Sequence, residues 1–214
     1  MTTKIKVCGV TLPDDAARVS AAGVDFIGLN FWSRSKRYLD PARAPLVAGA
    51  ARGAGAALLV GLFVDADLDD ILAIASAIEL DAIQLHGDDD PAAVAAIAAA
   101  TKRPVWKALA VSTARDVEHL EVWPADAILL DAPTPQRGGA GVRFDHGLAA
   151  EARRRHPARR IVLAGGLGPE NVAAAIATVD PWCVDVATGV EAAPGIKDAA
   201  KLAAFVAAVR DYSR

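Results

Sequence analysis

One pattern repeats eight times along this chain: a short apolar run, a loop, and then an alanine-rich stretch with helical character. The eight runs begin at Ile5, Phe26, Leu58, Ala82, Val105, Ala127, Ile161 and Cys183. The helical stretches that follow them lie near residues 13–22, 41–52, 67–78, 91–100, 113–120, 146–155, 169–178 and 198–211. Because every connection holds a helix, the strands are predicted to run parallel in one α/β sheet.

Two α/β architectures can accommodate parallel strands of this kind. An open, doubly wound sheet usually shows a GxGxxG turn after its first strand, whereas this chain reads CGVTLPDD there. Eight units in 214 residues instead favour a closed (β/α)8 TIM barrel at the short end of its size range. No linker or composition shift marks a boundary, so we expect residues 1–214 to form one barrel domain.

Charge and cysteine content narrow the classes of function. A net charge of −3 gives no overall attraction to nucleic acid or to an anionic membrane. No apolar run reaches about 18 residues, and the first residues, MTTKIKVCG, lack the apolar region of a signal peptide. Two cysteines without CxxC spacing suit a reducing compartment, so we expect a cytoplasmic protein. A closed barrel exposes no sheet edge, which favours a monomer.

Side chains of a barrel strand alternate between the interior and the surrounding helices. Ile5 and Val7 in the first strand and Ile128 and Leu130 in the sixth form the helix-facing apolar sets. The residues predicted to point inward are Lys6, Cys8, Gln84, His86, Lys107, Leu129, Asp131 and Asp185. The chemistry of this fold lies at the C-terminal ends of the strands, so the polar members of this set are candidate functional residues.

Each inward residue also has a structural interpretation. Lys6 and Asp185 lie on strands that close the barrel side by side and are expected to form a buried ion pair, and Lys107 is similar. Gln84 and His86 are candidate substrate-binding residues, or hydrogen-bonded polar groups of the core.

The two cysteines differ in position along their strands. Cys8 ends its strand whereas Cys183 begins one, so no disulfide is expected between them. Cys8 alone would be an ordinary buried side chain. Asp131, which ends an apolar strand at the functional face, is the stronger catalytic candidate.

Glycines follow the seventh and eighth strands, in the segments AGGLGPENV and ATGVEAAPG. Barrels commonly hold phosphate there, through main-chain N–H groups that glycine lets approach an anion. A third glycine cluster, RGGAG at 137–141, is positioned to close over a ligand. Three cations, Arg34, Lys36 and Arg37, follow the second strand and suit an anionic substrate, since arginine matches a carboxylate.

The chain resembles the phosphoribosylanthranilate isomerases of tryptophan biosynthesis. The matching segments are KVCGVT, GLNFWSRSKRYL, GLFVD, IQLHG, LLDAPTPQRGGAGVRFDH, LAGGLGPENV and VDVATGVEAAPGIKD. The resemblance implies an Amadori rearrangement of N-(5-phosphoribosyl)anthranilate, an aminoaldose, to an aminoketose by general acid and base catalysis. It also implies that no cofactor takes part, and the placement of the histidines predicts no metal site.

The resemblance also implies residue roles. Cys8 is the expected general base, Asp131 the general acid and Arg37 the anchor of the anthranilate carboxylate. The residues expected to bind phosphate are Gly165, Gly166, Thr188 and Gly189. This chain departs from the family pattern in three places: ATGV stands where SSGV is more usual, FDH replaces FDW, and Asn30 occupies a position that is often apolar.

Three other functions are weighed against this one. The related isomerase of histidine biosynthesis carries Asp in place of Cys8 and needs a second phosphate site, where this chain has the acidic loop FVDADLDD. A metal-dependent phosphosugar epimerase needs paired His and Asp ligands, but only His86 of the four histidines lies at a strand end. A barrel without activity, kept as a scaffold, would not be expected to keep Cys8, Asp131 and Arg37.

Overall fold

A computed structural model describes residues 2–133 and 144–212. Eight of its strands are hydrogen-bonded in sequence order and close into a parallel barrel in which β8 pairs with β1. These strands are β1 (Lys4–Cys8), β2 (Phe26–Asn30), β3 (Leu58–Phe63), β4 (Ala82–Leu85), β5 (Val105–Ala110), β6 (Ala127–Asp131), β7 (Ile161–Leu163) and β8 (Cys183–Val186). The predicted TIM barrel is therefore confirmed, with each strand starting within one residue of its expected position.

Helices surround the barrel. They are α1 (Pro13–Ala21), α2 (Ala44–Ala54), α3 (Leu68–Ala77), α4 (Pro91–Thr101), α5 (His146–Arg155), α6 (Val172–Val179) and α7 (Ala199–Tyr212). Proline opens α1 and α4 as predicted, since its missing N–H costs nothing in a first helical turn. Helices α2 and α6 begin three residues later than predicted, because Pro41 and Pro169 open turns that precede them. No helix in the described ranges is long and apolar enough to cross a membrane.

The prediction of a helix at 113–120 was wrong. The chain there forms two short 3-10 helices, Ala114–Val117 and Leu120–Val122. The first is closed by a capping box in which Thr113 and Asp116 satisfy each other's main-chain N–H groups. The capping box ends the first 3-10 helix after one turn, and the second 3-10 helix begins at Leu120, so the segment does not continue as a regular α-helix.

The strands separate two apolar cores. The core between strands and helices contains Ile5, Val7, Ile128 and Leu130, as the predicted alternation requires. The core inside the barrel is lined by Phe26, Val60, Ala82, Trp106, Ala108, Ala127, Leu129, Val162, Ala164 and Cys183. Toward the C-terminal ends of the strands, buried polar side chains join the interior beside a small apolar cluster of Cys8, Leu62 and Val64.

Lys107 does not point into the barrel, contrary to our prediction. Its strand neighbour Trp106 pairs with inward Gln84 and packs edge-on against Phe26, with ring centroids 4.9 Å apart. Lys107 faces outward, where its Nζ donates to the carbonyl of Gly87 at 2.6 Å. Both faces of β5 carry apolar side chains, so the alternation alone was ambiguous, and the large indole takes the space available inside the barrel.

A small hairpin extends the chain beyond the eighth strand. Its strands are β9 (Glu191–Ala193) and β10 (Ile196–Lys197), which pair antiparallel outside the barrel sheet. The main-chain N–H of Lys197 donates to Asp15 in α1 at 2.8 Å. This contact fixes the hairpin against α1, and sequence analysis did not predict the hairpin.

Candidate active site

Lys6 and Asp185 form the ion pair that was expected inside the barrel. Lys6 Nζ lies 3.0 Å from both carboxylate oxygens of Asp185, and its side chain is fully buried. Burial opposes the charge on Lys6, but the nearby Asp185 carboxylate outweighs it and raises the pKa of Lys6. Lys6 is therefore a permanent cation below the mouth of the barrel.

Cys8 ends β1 directly above this cation. A β-carbon at Gly28 on the neighbouring strand would lie 2.8 Å from Cys8 Sγ and 3.1 Å from Lys6 Nζ, so only glycine leaves this space open. Burial raises the pKa of the Cys8 thiol; Lys6 and Lys197 act in the opposite direction but do not cancel the effect. Cys8 and Cys183 are both free, as expected.

Asp131 ends β6 and is nearly buried. Desolvation raises its pKa to about 6, against a hydrogen bond from the main-chain N–H of Ala132 to Oδ1 at 2.8 Å. Gly165 packs against the same carboxylate, since a β-carbon there would lie 2.9 Å from Oδ1. A carboxyl group with a pKa near neutrality is suited to delivering a proton.

Gln84 and His86 come together beside Asp131. Gln84 Nε2 and His86 Nδ1 are 3.2 Å apart, and His86 Nε2 lies 4.0 Å from Asp131 Oδ2. The ring nitrogen of His86 that faces Asp131 is therefore Nε2, while Nδ1 faces the Gln84 amide. The interaction orients the ring toward the carboxyl group.

Arg37 reaches the mouth from the loop after β2. Asn30 organises that loop: its Nδ2 donates to Ser35 Oγ at 3.1 Å and its Oδ1 accepts from the N–H of Trp32 at 2.9 Å. Asn30, the departure from the family pattern, is thus a loop anchor. Gly9, with φ +72, lies against the Arg37 side chain, and a β-carbon there would overlap Arg37 Cδ. Arg34 and Lys36 of the same segment are exposed.

The Arg37 guanidinium is held mainly by Glu191, a residue that sequence analysis missed. Its Nε and Nη2 donate to the two oxygens of Glu191 at 2.8 and 2.7 Å, and Nη2 also donates to Thr188 Oγ1 at 3.1 Å. Buried Lys197 donates to Glu191 Oε1 at 2.9 Å and to the Cys8 carbonyl at 2.7 Å. The only signal in the sequence was two charges, Glu191 and Lys197, in an otherwise weakly polar segment.

The glycine turns after β7 and β8 adjoin this cluster, because Thr188 of the β8 turn accepts from Arg37 and Glu191 follows that turn directly. Gly165 and Gly166 have φ of +87 and +67, which side-chain-bearing residues rarely adopt. Gly189 lies so close to the β7 loop that a β-carbon would overlap the Leu167 carbonyl oxygen and lie 2.9 Å from Gly168 Cα. In the described part of the chain, the N–H groups of Gly166 and Gly189 donate to no protein acceptor.

The structure therefore gathers the predicted inward polar residues toward one end of the barrel, with the exception of Lys107, while Leu129 lies in the apolar core inside the barrel. Within residues 2–133 and 144–212, no three His, Cys, Asp or Glu side chains are grouped as metal ligands. The glycine cluster predicted at 137–141 lies outside the described residues. What the described geometry offers is an acid of raised pKa, a thiol beside a buried cation, a fixed guanidinium and a glycine-lined turn.

Comparison with solved structures agrees with this arrangement. Phosphoribosyl anthranilate isomerase from Thermotoga maritima superposes with a TM-score of 0.85 at 36% identity, covering 98% of this chain and 100% of that chain. A crystal structure of phosphoribosyl anthranilate isomerase in complex with reduced 1-(o-carboxyphenylamino)-1-deoxyribulose 5-phosphate superposes with a TM-score of 0.83 at 35% identity, with the same coverage.

Sequence comparison gives the same family. An N-(5'-phosphoribosyl)anthranilate isomerase of Geobacter sp. (strain M21) is 41% identical over 222 residues, covering 99% of this chain and 100% of the relative. That of Myxococcus xanthus is 42% identical over 217 residues, covering 100% and 99%. The model of the family N-(5'phosphoribosyl)anthranilate (PRA) isomerase matches residues 5–208. The chain therefore belongs to the N-(5'-phosphoribosyl)anthranilate isomerase family.

Proposed function

We propose that this chain isomerises N-(5'-phosphoribosyl)anthranilate in tryptophan biosynthesis, with Asp131 as general acid and Cys8 as general base. The observation that carries the assignment is the Asp131 carboxyl group, whose pKa burial raises to about 6 at the strand end. Its neighbours in the same barrel mouth supply a base, a carboxylate anchor and a phosphate cradle. The reaction is an Amadori rearrangement of an aminoaldose to an aminoketose.

The first step opens the ribose ring. Protonated Asp131 delivers its proton to the ring oxygen as the bond between C1 and that oxygen breaks, leaving an iminium ion at C1. Proton transfer of this kind contributes about 10²–10⁴ in rate. His86 Nε2 lies 4.0 Å from Oδ2 of the Asp131 carboxylate that remains, so a proton on this nitrogen stabilises the charge formed in this step.

The second step removes the proton on C2, which the iminium ion has made acidic. Ionised Cys8 takes this proton, and the resulting enolamine tautomerises to the ketone. Lys6 supports the ionised form because its permanent positive charge lies next to the thiol and lowers the pKa of Cys8 against the effect of burial. The barrel thus uses one buried ammonium group to favour a thiolate that burial alone would disfavour.

The substrate is held at both ends. Arg37 binds the anthranilate carboxylate, and the main-chain N–H groups around Gly165, Gly166 and Gly189, with Thr188 beside them, bind the phosphate. Gln84 holds the His86 ring beside Asp131. Binding energy from groups remote from C1 and C2 orients the reacting atoms and lowers the barrier.

The direct test is turnover of N-(5'-phosphoribosyl)anthranilate, followed by the change in anthranilate fluorescence. Cys8→Ala is expected to lower kcat at least about 10²-fold, the contribution of a general base. Cys183→Ala is the matched control, because Cys183 is buried and faces inward at the opposite end of the barrel. Near-normal turnover by folded Cys8→Ala would reject Cys8 as the base.

The two proposed groups ionise in the order opposite to the one that the chemistry needs. Between the pKa of Asp131 at about 6 and the raised pKa of Cys8, the prevalent form holds a carboxylate and a thiol. The reactive form, with protonated Asp131 and ionised Cys8, is a minor species of constant fraction across that interval. We therefore expect wild-type kcat/KM to be flat from about pH 6 up to the pKa of Cys8.

Asp131→Asn tests this assignment of the acid. Only Cys8 then titrates, so kcat/KM should rise about tenfold per pH unit across the formerly flat interval, and kcat should fall at least about 10²-fold. The substrate phosphate, which also titrates near pH 6, behaves the same way in both enzymes and cancels in the comparison. A flat profile at the wild-type rate would exclude Asp131 as the acid.

The assembly state and location of the protein are part of the same proposal. The barrel sheet closes on itself, which supports a monomer, and analytical ultracentrifugation at micromolar concentration tests this directly. Two free buried cysteines support a reducing compartment such as the cytoplasm. The phosphorylated aminosugar is the only partner that the proposal requires.

A further inference from the structure

We propose that Glu191 is a positioning residue that fixes the Arg37 guanidinium before substrate binds, so that its effect is confined to ligands carrying a carboxylate. The inference rests on the proposed function in one respect, namely that Arg37 binds the carboxylate of the anthranilate ring. It adds a residue from the hairpin β9–β10, outside the barrel sheet, to the determinants of specificity.

The contact between the two side chains is a planar fork. Glu191 Oε1 accepts from Arg37 Nε at 2.8 Å and Oε2 accepts from Nη2 at 2.7 Å. Only 11% of the Arg37 side chain and 3% of the Glu191 side chain are exposed. Two parallel hydrogen bonds fix the plane of a guanidinium as well as its position, which one point contact cannot do.

A second cation keeps the cluster positive. Lys197 Nζ donates to Glu191 Oε1 at 2.9 Å, and the main-chain N–H of Gly195 donates to the same oxygen at 3.1 Å. Two cations thus share one carboxylate, and the cluster of Arg37, Glu191 and Lys197 retains one net positive charge. Glu191 can therefore hold Arg37 without removing the attraction for an anionic ligand.

The cluster is also tied to the strand that carries the base. Lys197 Nζ donates to the main-chain carbonyl of Cys8 at 2.7 Å, and its side chain is fully buried. Burial opposes ionisation of Glu191, but the hydrogen bonds from Arg37 and Lys197 outweigh it and lower the pKa of Glu191. An ionised Glu191 thus links the guanidinium to the end of β1 through a continuous set of charged hydrogen bonds.

Two opposite effects of Glu191 must be separated by experiment. As a positioning group, Glu191 strengthens binding of the ligand's carboxylate. As a nearby negative charge, Glu191 repels that carboxylate and weakens its binding. Glu191→Asp separates the two effects. It keeps the negative charge but shortens the side chain by one methylene, so the carboxylate no longer reaches both Nε and Nη2 of Arg37. Glu191→Gln removes the charge and turns an amide N–H toward the donors of Arg37 or Lys197, which also disturbs the guanidinium.

The experiment compares two stable ligands that both carry the phosphate. One is reduced 1-(o-carboxyphenylamino)-1-deoxyribulose 5-phosphate, and the other is the same compound without the ring carboxylate. In calorimetric titrations, Glu191→Asp should lower the affinity for the carboxylated ligand about tenfold, which corresponds to the loss of one charge-assisted hydrogen bond. The affinity for the ligand without the carboxylate should fall less than about twofold. A merely structural role would weaken both ligands alike.

Parallel variants distinguish failure of this inference from failure of the proposed function. Arg37→Met should lower the affinity for the carboxylated ligand only. An equal loss of affinity for both ligands would refute the role of Arg37 itself. If Arg37→Met discriminates between the ligands and folded Glu191→Asp does not, the positioning role of Glu191 alone is refuted. Tighter binding of the carboxylated ligand by Glu191→Gln would also refute it, and this variant decides the matter if Glu191→Asp does not fold.

Glu151→Asp serves as the matched control. Glu151 lies in α5 on the outside of the barrel, where it forms ion pairs with Arg154 and Arg155. The same shortening there changes a charged pair without touching the barrel mouth. Neither ligand should lose affinity in this variant, and circular dichroism should show the same fold for all of them.

Discussion

The two ends of the proposed substrate meet surfaces that are built in different ways. On the carboxylate side, Arg37 from the loop after β2 is held by a network of charged side chains from the hairpin β9–β10, namely Glu191 and Lys197. On the phosphate side, the turns after β7 and β8 contribute main chain and glycines, with Gly165 and Gly189 packed against neighbouring backbone or side-chain atoms. One surface depends on side-chain chemistry and the other on the absence of side chains.

This difference predicts opposite sensitivities to substitution. A side-chain anchor loses function when a side chain is shortened or discharged, and its parts fail one at a time. A main-chain cradle tolerates loss of side chains but not the addition of a single β-carbon where two backbones touch. The carboxylate side should therefore be sensitive to shortened or discharged side chains, and the phosphate side to an added β-carbon.

The largest effect is expected from Gly189→Ala. The added β-carbon would overlap the Leu167 carbonyl oxygen, so the turns after β7 and β8 would have to separate. Losing two charge-assisted hydrogen bonds to the phosphate should lower kcat/KM roughly 10²-fold. The measurement is steady-state kinetics together with the affinity for inorganic phosphate, which should fall in parallel.

Gly53→Ala is the control for this variant. Gly53 lies in α2, and a β-carbon there would meet nothing within 4 Å. Its kinetics should match those of the wild type, and its stability should rise slightly, by up to about 1 kcal/mol, because alanine is the better helix former. Normal phosphate affinity in Gly189→Ala would show that the cradle does not depend on the contact between the two turns.

The fold was largely predictable because its signals are local. Apolar alternation identified the eight strands and correctly turned Cys8 and Asp131 inward, since each helix-facing neighbour is apolar. The prediction for Lys107 was wrong because both faces of β5 carry apolar residues, and the choice depends on where Trp106 fits inside the barrel. The extent of the domain over residues 1–214 stays a prediction.

The carboxylate network was not predictable in the same way. Arg37 and Glu191 are separated by 154 positions in sequence, and no local pattern specifies a contact at that separation. Glycine turns, by contrast, are visible in the sequence because the residue type itself reports the constraint. Sequence analysis therefore named the glycines of the proposed phosphate side one by one, but only Arg37 of the side-chain network, and both assignments stay predictions.

Arg37→Lys is expected to have an intermediate effect. Lysine keeps the positive charge but has no planar fork, so it cannot engage Glu191 through two parallel hydrogen bonds. We expect KM to rise about tenfold, the loss of one charge-assisted hydrogen bond, while kcat changes less. Unchanged KM would mean that charge alone is sufficient at this position and would remove the distinction between an ordered network and a simple cation.

The smallest effect is expected from Thr188→Val, at the junction of the two regions. Thr188 Oγ1 accepts from Arg37 Nη2 at 3.1 Å, while its main chain belongs to the glycine-containing turn after β8. Valine keeps the shape and the main chain but removes the hydroxyl group, and exposed contacts of this kind contribute little. KM should rise no more than about threefold, because Glu191 still holds the guanidinium through the two stronger bonds. Affinity for inorganic phosphate should be unchanged if the cradle is made of main-chain donors. A loss of phosphate affinity of tenfold or more would assign the hydroxyl group to the phosphate, and the two surfaces would then share a side chain rather than differ in kind.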